Sequence, residues 1–135
     1  MVAYSFKQQF EEPIAAFQKR QTVRGNRNRH ARPGEPMQLY VAMRTRHCRK
    51  ILTPDPICLD VRKIEIALDR NTARLIKKME IEGIRLSDEE MEAFAIADGF
   101  GGEFGSPLYR MGKFWSVNHQ TDYIEGVVIR WEPQV

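Results

Sequence analysis

The chain has 135 residues, of which 42% are hydrophobic and 10% aromatic, enough apolar material for one core and too little length for two. No run of about eighteen uncharged apolar residues occurs, and MVAYSFKQQFEEP lacks an apolar segment followed by a small-residue cleavage site, so we expect neither a membrane span nor a secretory signal, and a cytoplasmic location. The net charge of +3 is unevenly spread: from Gln18 to Lys50 ten Lys and Arg face a single acid, Glu35, a local +9 that leaves −6 for the rest.

Val2 to Lys7 is rich in strand formers, and Glu11-Glu12-Pro13 ahead of Ile14, Ala15 and Phe17 places acids and proline in the first turn of a short helix. Gln21 to Arg24 reads as a second short strand. Gly25 to Pro36 has no apolar period and reads as an exposed loop. Met37, Leu39 and Val41 alternate with Gln38, Tyr40 and Ala42, and Ile64, Ile66 and Leu68 share one face of a run from Ile57 to Leu68. Asp69 to Thr72 turns that strand back onto Leu75 to Leu86, with Gly83 expected as a bulge. Ser87-Asp88-Glu89-Glu90 is a capping box that starts a helix running to about Ala97 and ended by Asp98-Gly99. Another helix starts at Ser106-Pro107, and Tyr123 to Trp131 supplies a closing strand. This pattern predicts an α+β fold, a small, mostly antiparallel β-barrel with short helices over its openings.

Several chemistries are disfavoured by what the sequence lacks. Cys48 and Cys58 have neither the close pairing nor the histidine partners of a zinc or redox motif, so no metal and no cofactor is expected. His30, His47 and His119 are scattered, which argues against a Cys-His nucleophile. No nucleophile elbow, H-E-x-x-H pair or clustered carboxylates occur. Gly99-Phe100-Gly101-Gly102 follows a helix and lacks the G-K-[ST] ending of a phosphate loop, so it reads as a turn. Tyr109, Phe114 and Trp115 could stack on a base, but at helical spacing such residues are more often core.

The ten cations have the footprint of phosphate contacts, since each Arg offers a planar fork of donors. Arg20, Arg24, Arg27, Arg29, Arg32, Arg44 and Arg46 are the candidate RNA or nucleoside contacts; a solvated basic face without a partner is the alternative.

Taken in order, Tyr4-Ser5-Phe6-Lys7, the segment Lys19-Arg20-Gln21-Thr22-Val23-Arg24, Arg32-Pro33-Gly34-Glu35 before a strand, Ala97-Asp98-Gly99-Phe100 and Gly126-Val127-Val128-Ile129-Arg130-Trp131 resemble the ASCH domain over residues 1–135, read as a single domain. The most specific piece is K-x-x-T-x-R after the first helix. The resemblance implies a PUA-like barrel whose cleft holds RNA or a modified nucleoside. One branch of the family hydrolyses N4-acetylcytidine with a lysine and a threonine of this segment and a later glutamate; others are ribonucleases or RNA-binding regulators. Lys19 and Thr22 match the first two positions, and the acid falls on Asp98, one methylene shorter than glutamate.

Chemically, Lys19 in neutral form can take the Thr22 proton, and the alkoxide can attack an acyl carbonyl, provided the helix-to-strand junction makes the two side chains converge. Asp98 would protonate the leaving nitrogen or orient the lysine. The plainer alternative is an ordinary Lys19 and Asp98 ion pair with Thr22 chosen for β-propensity. Two functions are therefore expected to compete: a metal-independent amidohydrolase of N4-acylated cytidine, or an RNA-binding module with or without ribonuclease activity.

Overall fold

The computed structural model describes residues 2–102 and 105–135. The chain order is β1 (Val2–Phe6), a 3-10 turn (Gln8–Phe10), α1 (Glu11–Ala15), β2 (Gln21–Gly25), β3 (Met37–Val41), β4 (Arg49–Lys50), β5 (Ile57–Asp69), β6 (Leu75–Ile81), β7 (Ile84–Arg85), α2 (Asp88–Ala95), a π-turn (Ile96–Phe100), α3 (Pro107–Asn118) and β8 (Tyr123–Glu132). The strands form two sheets, ordered β1-β3-β4 and β2-β8-β5-β6-β7. The fold is thus α+β, with mostly antiparallel sheets and short helices. Among the described residues no closed barrel forms. No helix among the described residues is long and apolar enough to cross a membrane.

The chain divides into two compact units. The first comprises the residues up to Thr22, Arg27–Val61 and Ile129–Val135. Met37, Leu39 and Val41 on β3 are buried as their alternation predicts, and Val2, Tyr4 and Phe6 on β1 follow the same period, the residues between them being half-exposed. β1 and β3 run parallel, paired from Val2 with Met37 to Phe6 with Val41. The connection between them carries α1 and β2, and a parallel pair needs a crossover of that sort rather than a hairpin.

Helix α1 ends in a Schellman motif. Phe17 N–H donates to Ile14 O (3.0 Å) and Gln18 N–H to Pro13 O (2.8 Å), with Phe17 itself left-handed at φ 62°. Glycine normally fills that position, and a side chain there costs roughly 1 kcal/mol. The motif ends the helix and turns the chain directly into Lys19 and β2.

The second unit comprises Val23–Asn26 and Arg62–Val128. Ile64, Ile66 and Leu68 are buried as the alternation predicts. They pack in a core with Met79, Met91, Phe94, Met111 and Trp115, contributed by β6, α2 and α3. The capping box at Ser87 is fully formed: Ser87 Oγ accepts from Glu90 N–H (3.1 Å), and Glu90 accepts from Ser87 N–H (2.8 Å).

One local expectation needs correction. Gly83 is no bulge but part of the tight Glu82-Gly83 turn joining β6 and β7, both residues being left-handed (φ 52° and 77°) as a type I′ hairpin demands. The register shift lies instead between Ala67 and Leu68, opposite which Lys77 is the extra residue. Helix α2 ends close to where Asp98-Gly99 places its stop. Its last regular residue is Ala95, and the chain widens into the π-turn, where Gly99 is left-handed at φ 102°.

A close approach fixes β8 beside β2. A Cβ added at Gly126 would lie 2.1 Å from the Arg24 carbonyl oxygen, far inside van der Waals contact. The neighbouring atom is backbone and cannot rotate away. Gly126→Ala is therefore expected to destabilise the chain by about 2 kcal/mol or more, read as a lowered urea midpoint with unchanged slope. An unchanged midpoint would show that the two strands can separate without penalty.

Candidate functional site

Among the described residues the buried polar or charged side chains are Lys19, Gln21, Thr22 and Asp98, at 2%, 7%, 5% and 4% exposure. Three of these are the residues expected to carry chemistry. Gln21 is the one that sequence reasoning passed over; it lies inside the same K-x-x-T segment, but its type carries no signal of burial.

Lys19 follows the Schellman turn, its own N–H donating to Pro13 O at 3.0 Å. Its ammonium lies 4.8 Å from the ring centre of Phe10 and 5.9 Å from that of Phe6. Desolvating an ammonium costs several kcal/mol, and a desolvated cation-π contact returns about 2. Neither Lys19 nor Asp98 is without a partner. Phe6 also meets the edge of Trp131, with centroids 6.1 Å apart and planes at 72°. The Trp131 side chain is fully buried, yet its indole N–H has no acceptor among the described residues. A buried orphan donor of this kind costs about 1–3 kcal/mol. Phe6, Phe10 and Trp131 carried only the strand and helix signals of core residues, so nothing in the sequence set them beside the lysine.

Asp98 lies in the π-turn of the second unit. The turn is held at its end by Arg110, whose Nε and Nη2 donate to the Phe100 carbonyl at 3.1 and 2.7 Å.

The arginines divide by what they already bind. Arg20 donates to Phe17 O (2.9 Å) and lies 3.5 Å from Glu132, so it secures the end of α1. Arg24 is half-buried on β2. Arg29 pairs with Glu35, which also accepts from Arg32 N–H at 2.7 Å. The single acid of the basic third therefore closes the loop on itself. Arg27 sends Nε to Arg29 O (2.7 Å) and stacks its guanidinium 4.5 Å from the ring centre of Tyr4. Tyr4 anchors this loop from below: its hydroxyl accepts from Ala31 N–H (3.0 Å) and shares a hydrogen bond with His30 Nδ1 (3.0 Å). Arg44 and Arg46 lie in the exposed turn between β3 and β4. Of the seven arginines singled out, Arg27, Arg32, Arg44 and Arg46 are exposed and form no ion pair with a described residue.

The two thiols differ. Cys48 is exposed in the basic turn, whereas Cys58 is buried and its thiol pKa is raised, first by burial and then by the charges of Asp60 and Glu35. No group of three or more potential metal ligands occurs among the described residues.

A scan against protein-family models finds no match, and searches of curated proteins and of solved structures return none either.

The Glu35 carboxyl is held below its ordinary range, chiefly by the Arg32 N–H and then by Arg29. A depressed carboxylate stabilises the fold above its unfolded pKa and loses that contribution as pH falls through the lower folded value. The Arg32 amide resonance should thus titrate with a midpoint below the ordinary glutamate value of about 4.3. Glu35→Gln should abolish that titration, and a midpoint at the ordinary value would mean that the loop is not closed by this carboxylate.

Proposed function

We propose that the chain is an ASCH-type protein of the PUA-like class that hydrolyses the acyl group of an N4-acylated cytidine without a metal. The observation that carries this reading is that Lys19, Thr22 and Asp98 are three of the four buried polar side chains among the described residues. Burial of a cation, a hydroxyl and a carboxylate costs stability, and such groups are retained where chemistry or specificity requires them.

In this reading the Thr22 hydroxyl is the nucleophile. Its oxygen bonds to the acyl carbon while its proton passes to Nζ of Lys19 in the neutral amine form. The amide C–N bond then breaks as the proton held on Lys19 Nζ passes to the leaving nitrogen. Water attacks the acyl-threonine ester, restoring the hydroxyl and releasing the carboxylic acid, so one water is consumed for each nucleoside freed. The basic third supplies the attraction for the nucleic acid or nucleoside.

Purified protein without added metal should release cytidine from N4-acetylcytidine. Thr22→Ala and Lys19→Ala should each lower kcat by about a hundredfold or more, with far-UV circular dichroism unchanged. Full turnover in Thr22→Ala would remove the nucleophile.

A second reading is favoured by Arg27, Arg32, Arg44 and Arg46, whose side chains are exposed and make no ion pair with a described residue. A single nucleoside needs one or two cations, so four available arginines suit a polymer. Binding of single-stranded RNA should then weaken steeply with salt. Replacing all four by alanine should reduce the slope of log K against log salt by about three. A slope unaffected by these changes excludes them as phosphate contacts.

A further inference from the structure

A second place for a ligand lies in the first unit, where the parallel strands β1 and β3 both end, at the paired residues Phe6 and Val41. A cavity of about 600 Å³ opens there, lined by Phe6, Lys7, Gln8 and Gln9 from the end of β1 and by Met43 and Arg49 beyond the end of β3. Its size is that of a small-molecule site, and the carboxyl ends of parallel strands are where open sheets commonly receive ligands. Neither Lys19, Thr22 nor the Arg27 to Arg32 loop lines it.

The chemistry of the lining is one-sided. Lys7 contributes a positive charge and Arg49 a guanidinium already paired with Glu11, and no carboxylate of a described residue lines the cavity. Lys7 is exposed and pairs with no described acid. Arg49 gives Nε and Nη2 to the two oxygens of Glu11, at 2.7 and 2.6 Å. That fork fixes the guanidinium in place and leaves Nη1 engaged by no described group. Gln8 and Gln9 add carboxamides able both to donate and to accept, and Phe6 and Met43 give an apolar wall.

The rim is strained as well. Ala42 and Arg44 are left-handed at φ 54° and 70°, a conformation unfavourable for side chains other than glycine. Ala42 also lines the cavity, and its carbonyl is held by Thr45 through both N–H (3.2 Å) and Oγ1 (2.7 Å). Strain maintained by surrounding hydrogen bonds is characteristic of ligand clamps.

We propose that this cavity binds a phosphate monoester of up to mononucleotide size. Lys7 and Arg49 Nη1 contact the dianion, a compact point charge beside a planar fork, and the carboxamides of Gln8 and Gln9 hold the polar body. The Phe6 ring is common to this cavity and to the surroundings of Lys19, but neither Lys19 nor Thr22 lines it, and the proposal stands whether or not the hydrolytic reading holds.

The test uses the full chain with adenosine 5′-monophosphate, adenosine and inorganic phosphate, followed by calorimetry and by ¹H-¹⁵N correlation spectra. Adenosine is not the base of the proposed hydrolysis, so the two readings can fail separately. The monophosphate should bind and shift the amides of Lys7, Gln8, Gln9, Ala42 and Met43, and adenosine should bind at least about tenfold more weakly. Lys7→Ala should weaken the monophosphate about tenfold, and Met43→Trp should fill the cavity and block it, both leaving N4-acetylcytidine turnover unchanged. Thr22→Ala should bind the monophosphate as the parent does. A 5′-phosphorylated trinucleotide bound more tightly than the monophosphate assigns the monoester to a strand end, and the reverse order assigns it to a free nucleotide. Absence of monophosphate binding, equal affinity for adenosine, unchanged affinity in Lys7→Ala, or shifts confined to the Arg27 to Arg32 loop would each overturn the proposal.

Discussion

An ammonium group held out of water shapes the first unit. Lys19 is almost fully buried, and the fold surrounds it with aromatic faces: Phe10 below 5 Å, Phe6 beyond it, and Trp131 against the edge of Phe6. A charge in that position cannot be reached by a regular helix running on into a strand. The chain must turn sharply between Ala15 and Gln21, and it does so through a Schellman motif with phenylalanine where glycine would be easier. The unfavourable backbone at Phe17 and the unfavourable burial of Lys19 are thus two costs of one arrangement. A structure seeking stability alone would have neither, which is the physical reason for looking to this junction for function.

The basic third follows a different logic. Its charge is large, but much of it is spent internally: Glu35 closes the loop through Arg29 and the Arg32 amide, Glu11 takes Arg49 in a two-pronged pair, and Asp55 lies 2.8 Å from Lys50. These pairs are exposed and add little to global stability. What they do is set loop shape, so that Arg27, Arg32, Arg44 and Arg46 are presented on a defined backbone instead of a floppy one. Tyr4, a buried strand residue, performs the same service through its hydroxyl and ring.

Much of the secondary structure was legible in the sequence because short-range physics decided it. Strand formers on β1, alternation on β3 and β5 and the Ser87 capping box carry their own signal. The error arose where two local rules compete. Glu82-Gly83 serves equally as a bulge or as a two-residue turn, and only pairing with β7 decides between them. The parallel pairing of β1 with β3 and the tiny β4 depend on long-range contacts that no window of sequence contains. At the candidate site, residue type and order singled out Lys19, Thr22 and Asp98, and all three are buried. The aromatic surroundings of Lys19 and the orphan indole of Trp131 were illegible, since a core phenylalanine and one that faces a cation look the same in a sequence.

The unequal thiols give the chain a chemical handle of its own. Cys48 is exposed in the turn that carries Arg44 and Arg46, while Cys58 is buried and its proton is held more tightly. An alkylating fluorophore added to the folded protein would accordingly mark Cys48 first and leave Cys58 until unfolding. The native sequence thereby places a single reporter in the middle of its most cationic turn, where the dye's emission would register an arriving anion without any engineered cysteine.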